Sequence, residues 1–261
     1  MPKDVFGQHI RFIARNFKAV SLSEGLNALG SSGSNEIYAA INLDDGYMDN
    51  FLQAYPVLKK YNVPATIFLT TDFIGKEHIF WWDRVFNVSS FNPNGVSRSI
   101  EIADRINAHL KRQDPNDLER LAEKIEINFS PKEKATPSKM LGWKEIKEMA
   151  ENGINFGSHS RSHGNLCLLD DDELKKELVD SKKEIECRLG IKVDGFTYPF
   201  GIFDERVKAI VARAGYNYAR TSLKGINIKG SDRFLLKGIG GTSLLKTSFL
   251  ANRIAANLFR S

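Results

Sequence analysis

Three short stretches carry side chains whose types and spacing could do chemistry. "INLDDGYMDN" (41–50) ends an apolar run with two adjacent carboxylates, Asp44 and Asp45, followed at once by Gly46. "SHSRSH" (158–163) sets His159 and His163 four residues apart, close enough for both imidazoles to face one centre. "TYPFG" (197–201) is a rigid Pro-Gly turn that can aim a backbone N–H. Side-by-side carboxylates repel, and burial makes the repulsion worse, so the aspartate pair needs open solvent or a cation to share. Alone, it reads as an acidic turn after a strand. Joined by the histidines, it supplies two imidazoles and a carboxylate, the three-ligand set of a catalytic zinc site that keeps one position open for water. One aspartate then binds the cation while its neighbour serves as a base.

These residues need elements that bring them together, and the chain supplies them as strand-length apolar runs alternating with amphipathic helical stretches. That is the pattern of βα units around a parallel sheet or barrel, in which chemistry collects at the carboxyl ends of the strands. "EIYAAINL" (36–43) reads as a buried strand delivering Asp44 and Asp45, and "VPATIFLTT" (63–71) as the next strand. Between them "DNFLQAYPVLKKYN" reads as a helix that bends or restarts at Pro56. "WKEIKEMAENG" places Trp143, Ile146, Met149 and Ala150 at helical spacing and closes at Gly153. "INFGSHS" (154–160) is the strand that delivers the histidines. A helix then starts at Asp170 with Glu173 in capping-box position and shows Leu174, Leu178, Ile185 and Leu189 on one face as far as Gly190. "VDGFTYPFG" is a strand into a turn, "DERVKAIVARAG" a helix, "YNYARTS" a strand and "DRFLLKGIGG" a last strand, before a short amphipathic helix in "TSFLANRIAANLFRS".

The 261 residues, 42% of them hydrophobic, suffice for a real core. Lys and Arg exceed Asp and Glu by 37 to 32, but the surplus is spread over mixed-sign helices, with no basic block interleaved with aromatics. The expectation is no nucleic-acid partner. The two cysteines, Cys167 and Cys187, form no C-x-x-C pair and no disulfide framework. The start, "MPKDVFGQHIRFIARNF", has no long apolar core, and no stretch approaches the roughly 18 apolar residues of a membrane span, so a cytoplasmic chain is expected, with peripheral membrane association or a trimmed start as alternatives. A long insertion at about residues 75–140 separates the second and third strands. Such connections usually build the wall or lid of a site, and its "HIFWWDRVF" offers Trp81 and Trp82 as surfaces on which a sugar ring could stack.

At this point the motifs resemble those of a known family, the polysaccharide deacetylases with the NodB homology domain (carbohydrate esterase family 4), over about residues 17–242. "INLDDGYMDN" is similar to the first family motif, usually T-F-D-D-G, "HSRSH" to the second, H-[ST]-x-x-H, and "TYPFG" to the Pro-aromatic core of the third. "NVPATIFLTTDFIG" and "WWDR" are typical of the bacterial envelope-sugar branch. The resemblance implies a distorted (β/α)7 barrel, here a single domain over residues 1–261 with the 75–140 insertion, and hydrolysis of N-acetyl groups on amino sugars of an envelope polysaccharide or related glycan. It further implies that Asp44 is the general base, that Asp45, His159 and His163 hold one divalent metal, zinc being expected, and that the Phe200 N–H beside Pro199 meets the oxyanion. With Tyr198 and Trp82, that turn would line the substrate groove.

Two departures stand out. The family commonly carries an arginine upstream of the third-motif proline that orients the base; here Phe196, Thr197 and Tyr198 precede Pro199, so Asp44 is expected to lack that partner. A catalytic acid histidine normally lies near the C-terminus, yet no histidine follows His163, and "FLLKGIGG" offers only Lys237. Asp44 would then act as both base and acid. A degenerate relative that binds glycan or scaffolds a complex without turnover is the alternative.

Overall fold

The computed structural model describes residues 1–30, 36–83, 138–240 and 250. The helical stretch expected within the insertion and the expected final amphipathic helix therefore lie outside the described residues, Leu250 apart. The chain opens with α1 (Lys3–Asn16), β1 (Lys18–Ala19) and α2 (Leu22–Gly30), followed by β2 (Tyr38–Ala39) and β3 (Ile41–Leu43). A π-helical turn over Asn50–Ala54 runs into α3 (Tyr55–Tyr61), and β4 spans Ala65–Leu69. The insertion leaves through β5 (Glu77–His78) and returns through β6 (Ser138–Lys139). Then come α4 (Trp143–Glu151), β7 (Asn155–Ser158), α5 (Asp171–Leu189), β8 (Gly195–Thr197), α6 (Glu205–Arg213), β9 (Tyr218–Lys224) and β10 (Leu236–Gly238).

Six strands form the main sheet in the order β10-β9-β8-β7-β4-β3, every pairing parallel, and the sheet curls into a half-barrel. Where the resemblance implies seven strands, the described main sheet holds six; β1 and β2 pair separately in a two-stranded parallel sheet. The predicted 36–43 strand divides at Ala40, its first part joining β1 and its second the main sheet. All five residues of β4 are buried, as a strand covered on both faces requires.

The helices cover the sheet with the faces their spacing predicts: Ile146 and Met149 from α4, Leu174, Leu178 and Ile185 from α5, Val207, Ile210 and Val211 from α6. Local chemistry ends them. The Asp170 side chain accepts from the N–H groups of Asp172 and Glu173, Glu173 returns a bond to the Asp170 N–H, and Gly190 closes α5 in the left-handed conformation. Pro56 lies in the first turn of α3, where its missing N–H costs no helical bond, so the helix restarts there as predicted. The insertion is pinned at its base, where β5 and β6 pair antiparallel and Tyr47 bridges to Met140.

Candidate metal centre

Parallel strands point their carboxyl ends one way, so β3, β7 and β8 deliver their following loops to one rim. Asp45 Oδ1 lies 3.4 Å from both His159 Nε2 and His163 Nε2, and the two nitrogens are 3.1 Å apart. A point equidistant from these atoms lies about 1.9 Å from each, close to the bond lengths of about 2.0 to 2.2 Å that such ligands make, so the three could hold one divalent cation. The donor chemistry fits as well. His159 Nδ1 lies 2.8 Å from Thr197 O, and an Nδ1–H donated there turns the Nε2 lone pair toward the centre. In the metal-free protein burial alone would raise the Asp45 pKa, but hydrogen bonds and positive charge from His159 and His163 in their protonated forms outweigh it and hold the carboxyl well below its ordinary range.

The loops achieve this against local preference. Asp45, Ser160, His163 and Phe200 all have positive φ, so four of the five such non-glycine residues described stand in this one place. The surroundings hold them there. Gly46 N–H donates to Asp44 O, and Leu141 N–H to Gly46 O, which fixes the aspartate turn. The histidine loop is shaped by Glu177 on α5, whose Oε2 accepts from the N–H groups of Arg161 and Ser162, while Ser160 Oγ accepts from His163 N–H.

Asp44 is not left alone, contrary to the expectation from its motif. Arg220 on β9 donates through Nη2 to Asp44 Oδ2. The reason is register: Thr197, two residues upstream of Pro199, pairs across the sheet with Arg220, so the next strand supplies a guanidinium at the position level with the one where the third motif lacks it. Asp44 Oδ1 is buried and has no hydrogen-bond partner among the described residues, and Asp44 lines the cavity. Sequence reading missed Arg220 because "YNYARTS" reads as an ordinary strand; the signal available was a lone arginine within it.

A cavity of about 370 Å³ joins these groups. Asp44, Asp45, His159, His163 and Arg220 line its charged side, and Trp81, Trp82 and Phe200 its aromatic side, with Tyr198 also on the wall. Trp81 is buried and Trp82 half-buried. The Trp82 ring centre is 4.8 Å from that of His163 and 5.6 Å from that of Phe200. Pro199 is buried in the turn beneath Phe200. Lys237 is not on this wall; it lines a second cavity that adjoins the first at Asp44 and Arg220, with its backbone bonded to the Asn227 side chain.

A half-buried carboxylate and two buried imidazoles thus stand at the rim of a parallel half-barrel, beside an arginine-held carboxylate, in an arrangement that could hold a metal ion. The sequence profile of the polysaccharide deacetylase family matches residues 32–219, and the chain belongs to that family. YxkH of Bacillus subtilis (strain 168), provisionally named a polysaccharide deacetylase, is 25% identical over 227 residues, covering 86% of this chain. The chain spans 60% of that relative's length. Among solved structures, the Streptococcus pyogenes deacetylase PplD in complex with acetate superposes with a TM-score of 0.67 at 19% identity, covering 97% of this chain and 86% of that one. BC0361, a polysaccharide deacetylase from Bacillus cereus, gives 0.65 at 18%, covering 97% and 61%. These likenesses show the fold to be that of the carbohydrate esterase family 4 deacetylases. No helix among the described residues is long and apolar enough to cross a membrane.

Proposed function

We propose that the protein is a metal-dependent deacetylase that hydrolyses N-acetyl groups of amino sugars in an envelope polysaccharide or related glycan, with the chain acting as one unit. The observation that carries this reading is the convergence of Asp45 Oδ1, His159 Nε2 and His163 Nε2 beside the Arg220-held Asp44. Asp45, His159 and His163 would hold the metal, with zinc the ion best suited to two imidazoles and one carboxylate. When bound, such an ion supplies Lewis acidity to the water and to the carbonyl under attack.

The chain's own groups do the rest. Asp44 takes the proton of the attacking water while Arg220 holds its Oδ2, which keeps the base in one orientation. The Phe200 N–H, aimed by the Pro199 turn, meets the negative charge that develops on the carbonyl oxygen. Trp82 and Phe200 offer apolar faces to the sugar and the acyl methyl. Among the described residues, the cavity wall offers no histidine besides the metal pair, so Asp44 returns its proton to the departing amine.

The test is acetate release from acetylated chitooligosaccharides by protein purified without chelator. Release that stops on chelation and returns with zinc supports the reading. Metal bound stoichiometrically with no release from any acetylated amino sugar would replace it with that of a glycan binder.

A further inference from the structure

The Trp82 indole N–H does not point into solvent. Nε1 donates to Tyr47 Oη at 2.9 Å, and Tyr47 Oη donates in turn to Asp83 Oδ2 at 2.8 Å. The phenol therefore accepts on one side and gives its only proton on the other, which defines its orientation. Tyr47 lies two residues beyond Asp45, on the loop that carries the carboxylate ligand, whereas Trp82 and Asp83 open the inserted segment. Met48 N–H donates to Lys139 O and Asp83 N–H to Phe80 O, so both ends of the connection are anchored in backbone. One face of the indole is stacked on Phe80, with ring centres 4.2 Å apart and planes 9° from parallel. Its edge relation to Phe200, at 84°, completes the enclosure.

Neither Tyr47 nor Asp83 lines the metal cavity, so neither is placed to exchange a proton with a substrate there. What they can do is hold Trp82, which does line it beside His163 and Phe200. We propose that Tyr47 and Asp83 are positioning residues that lock the Trp82 indole as the apolar wall of the cavity and thereby limit the acyl group to a small one. This rests on the deacetylase reading. A single indole orientation leaves a fixed space opposite the charged wall. An indole released from Tyr47 can turn about its side-chain bonds, and the space then admits longer acyl chains.

The experiment combines Tyr47→Phe, Trp82→Phe and the double variant, all loaded with zinc and checked for metal content. Kinetics are measured on N-acetyl and N-butyryl chitooligosaccharides. Tyr47→Phe should keep its metal, lose roughly tenfold in kcat/KM on the acetyl substrate, the equivalent of about one net hydrogen bond, and lose discrimination against butyryl. In the Trp82→Phe background the same change should add little, because the N–H it would release is already gone. Asp83→Leu should reproduce the loss of selectivity and Asp83→Asn, which still accepts, should recover most of it. Independently of turnover, the indole ¹H–¹⁵N resonance of Trp82, assigned from its absence in Trp82→Phe, should move in Tyr47→Phe. An unmoved resonance, or equal losses from Tyr47→Phe in both backgrounds, overturns the proposal. A moved resonance in a protein that releases no acetate from any substrate sinks the deacetylase reading on which the selectivity rests, while the positioning itself stands.

Discussion

Replacing Arg220 by methionine tests whether an arginine from β9 governs the base. The substitution keeps an unbranched side chain of similar reach over Phe68, whose ring centre lies 5.9 Å from the guanidinium carbon, and removes only the charge and donors. Arg220 is 18% exposed and Asp44 33% exposed, so the pair is partly shielded from water. A hydrogen bond between charged groups contributes about 1.5 to 3 kcal/mol, and the exposure of Asp44 argues for the lower part of that range. About 1.5 to 2 kcal/mol corresponds to roughly thirteen- to thirtyfold. Misorientation of a base that has lost its Arg220 partner can add to this, so a fall in kcat of roughly 10- to 100-fold is expected. Arg220→Lys should recover part of it, since a lysine brings the charge without the planar fork. Acetate release under saturating zinc gives kcat, and metal content is measured in parallel. In an Asp44→Asn background the arginine change should cost little more. Wild-type kcat in Arg220→Met, or an equal loss in both backgrounds, would refute the reasoning.

Asp44→Asn itself should retain metal and lose on the order of 10²- to 10⁴-fold in turnover, because shape is kept and only the base is removed; unchanged activity disposes of Asp44 as base. Lys237→Met should leave kcat within about twofold, because the lysine is not among the residues that line the metal cavity and its side chain lies beside Gly225; a loss as severe as that of Asp44→Asn would make the lysine the proton donor. Metal retention should weaken on acidification. Burial lowers the His159 pKa, but Asp45 and Asp44 raise it by more, so its net shift in the metal-free protein is upward. A proton and a metal compete for the same Nε2 lone pair, so the proton wins as pH falls through that raised value. The gain in melting temperature on adding zinc should therefore shrink between about pH 8 and about pH 5; a gain that grows on acidification contradicts the ligand assignment.

Local patterns carried much of this molecule. The β4 run Ala65–Leu69 is apolar except for Thr66 because both its faces are covered, and the Asp170–Glu173 box and Gly190 delimit α5 through bonds made within a few residues. The candidate metal-binding group was legible for the same reason: Asp44 and Asp45 are neighbours, and His159 and His163 sit four apart, so each half of the candidate site is a short-range pattern. The first helix, Lys3–Asn16, and the division of the 36–43 strand were not read, since tertiary pairing with β1 decides where β2 stops. The departures in the site are all of this kind. Arg220 and Asp44 are 176 residues apart, and only the register that sets Thr197 opposite Arg220 makes them partners. Glu177 acts on the histidine loop because α5 packs behind it, and Tyr47 meets Trp82 because the insertion returns beside the aspartate loop. Residue type and spacing determined which atoms could bind a metal; strand register and packing, which no local pattern encodes, decided which groups would orient them.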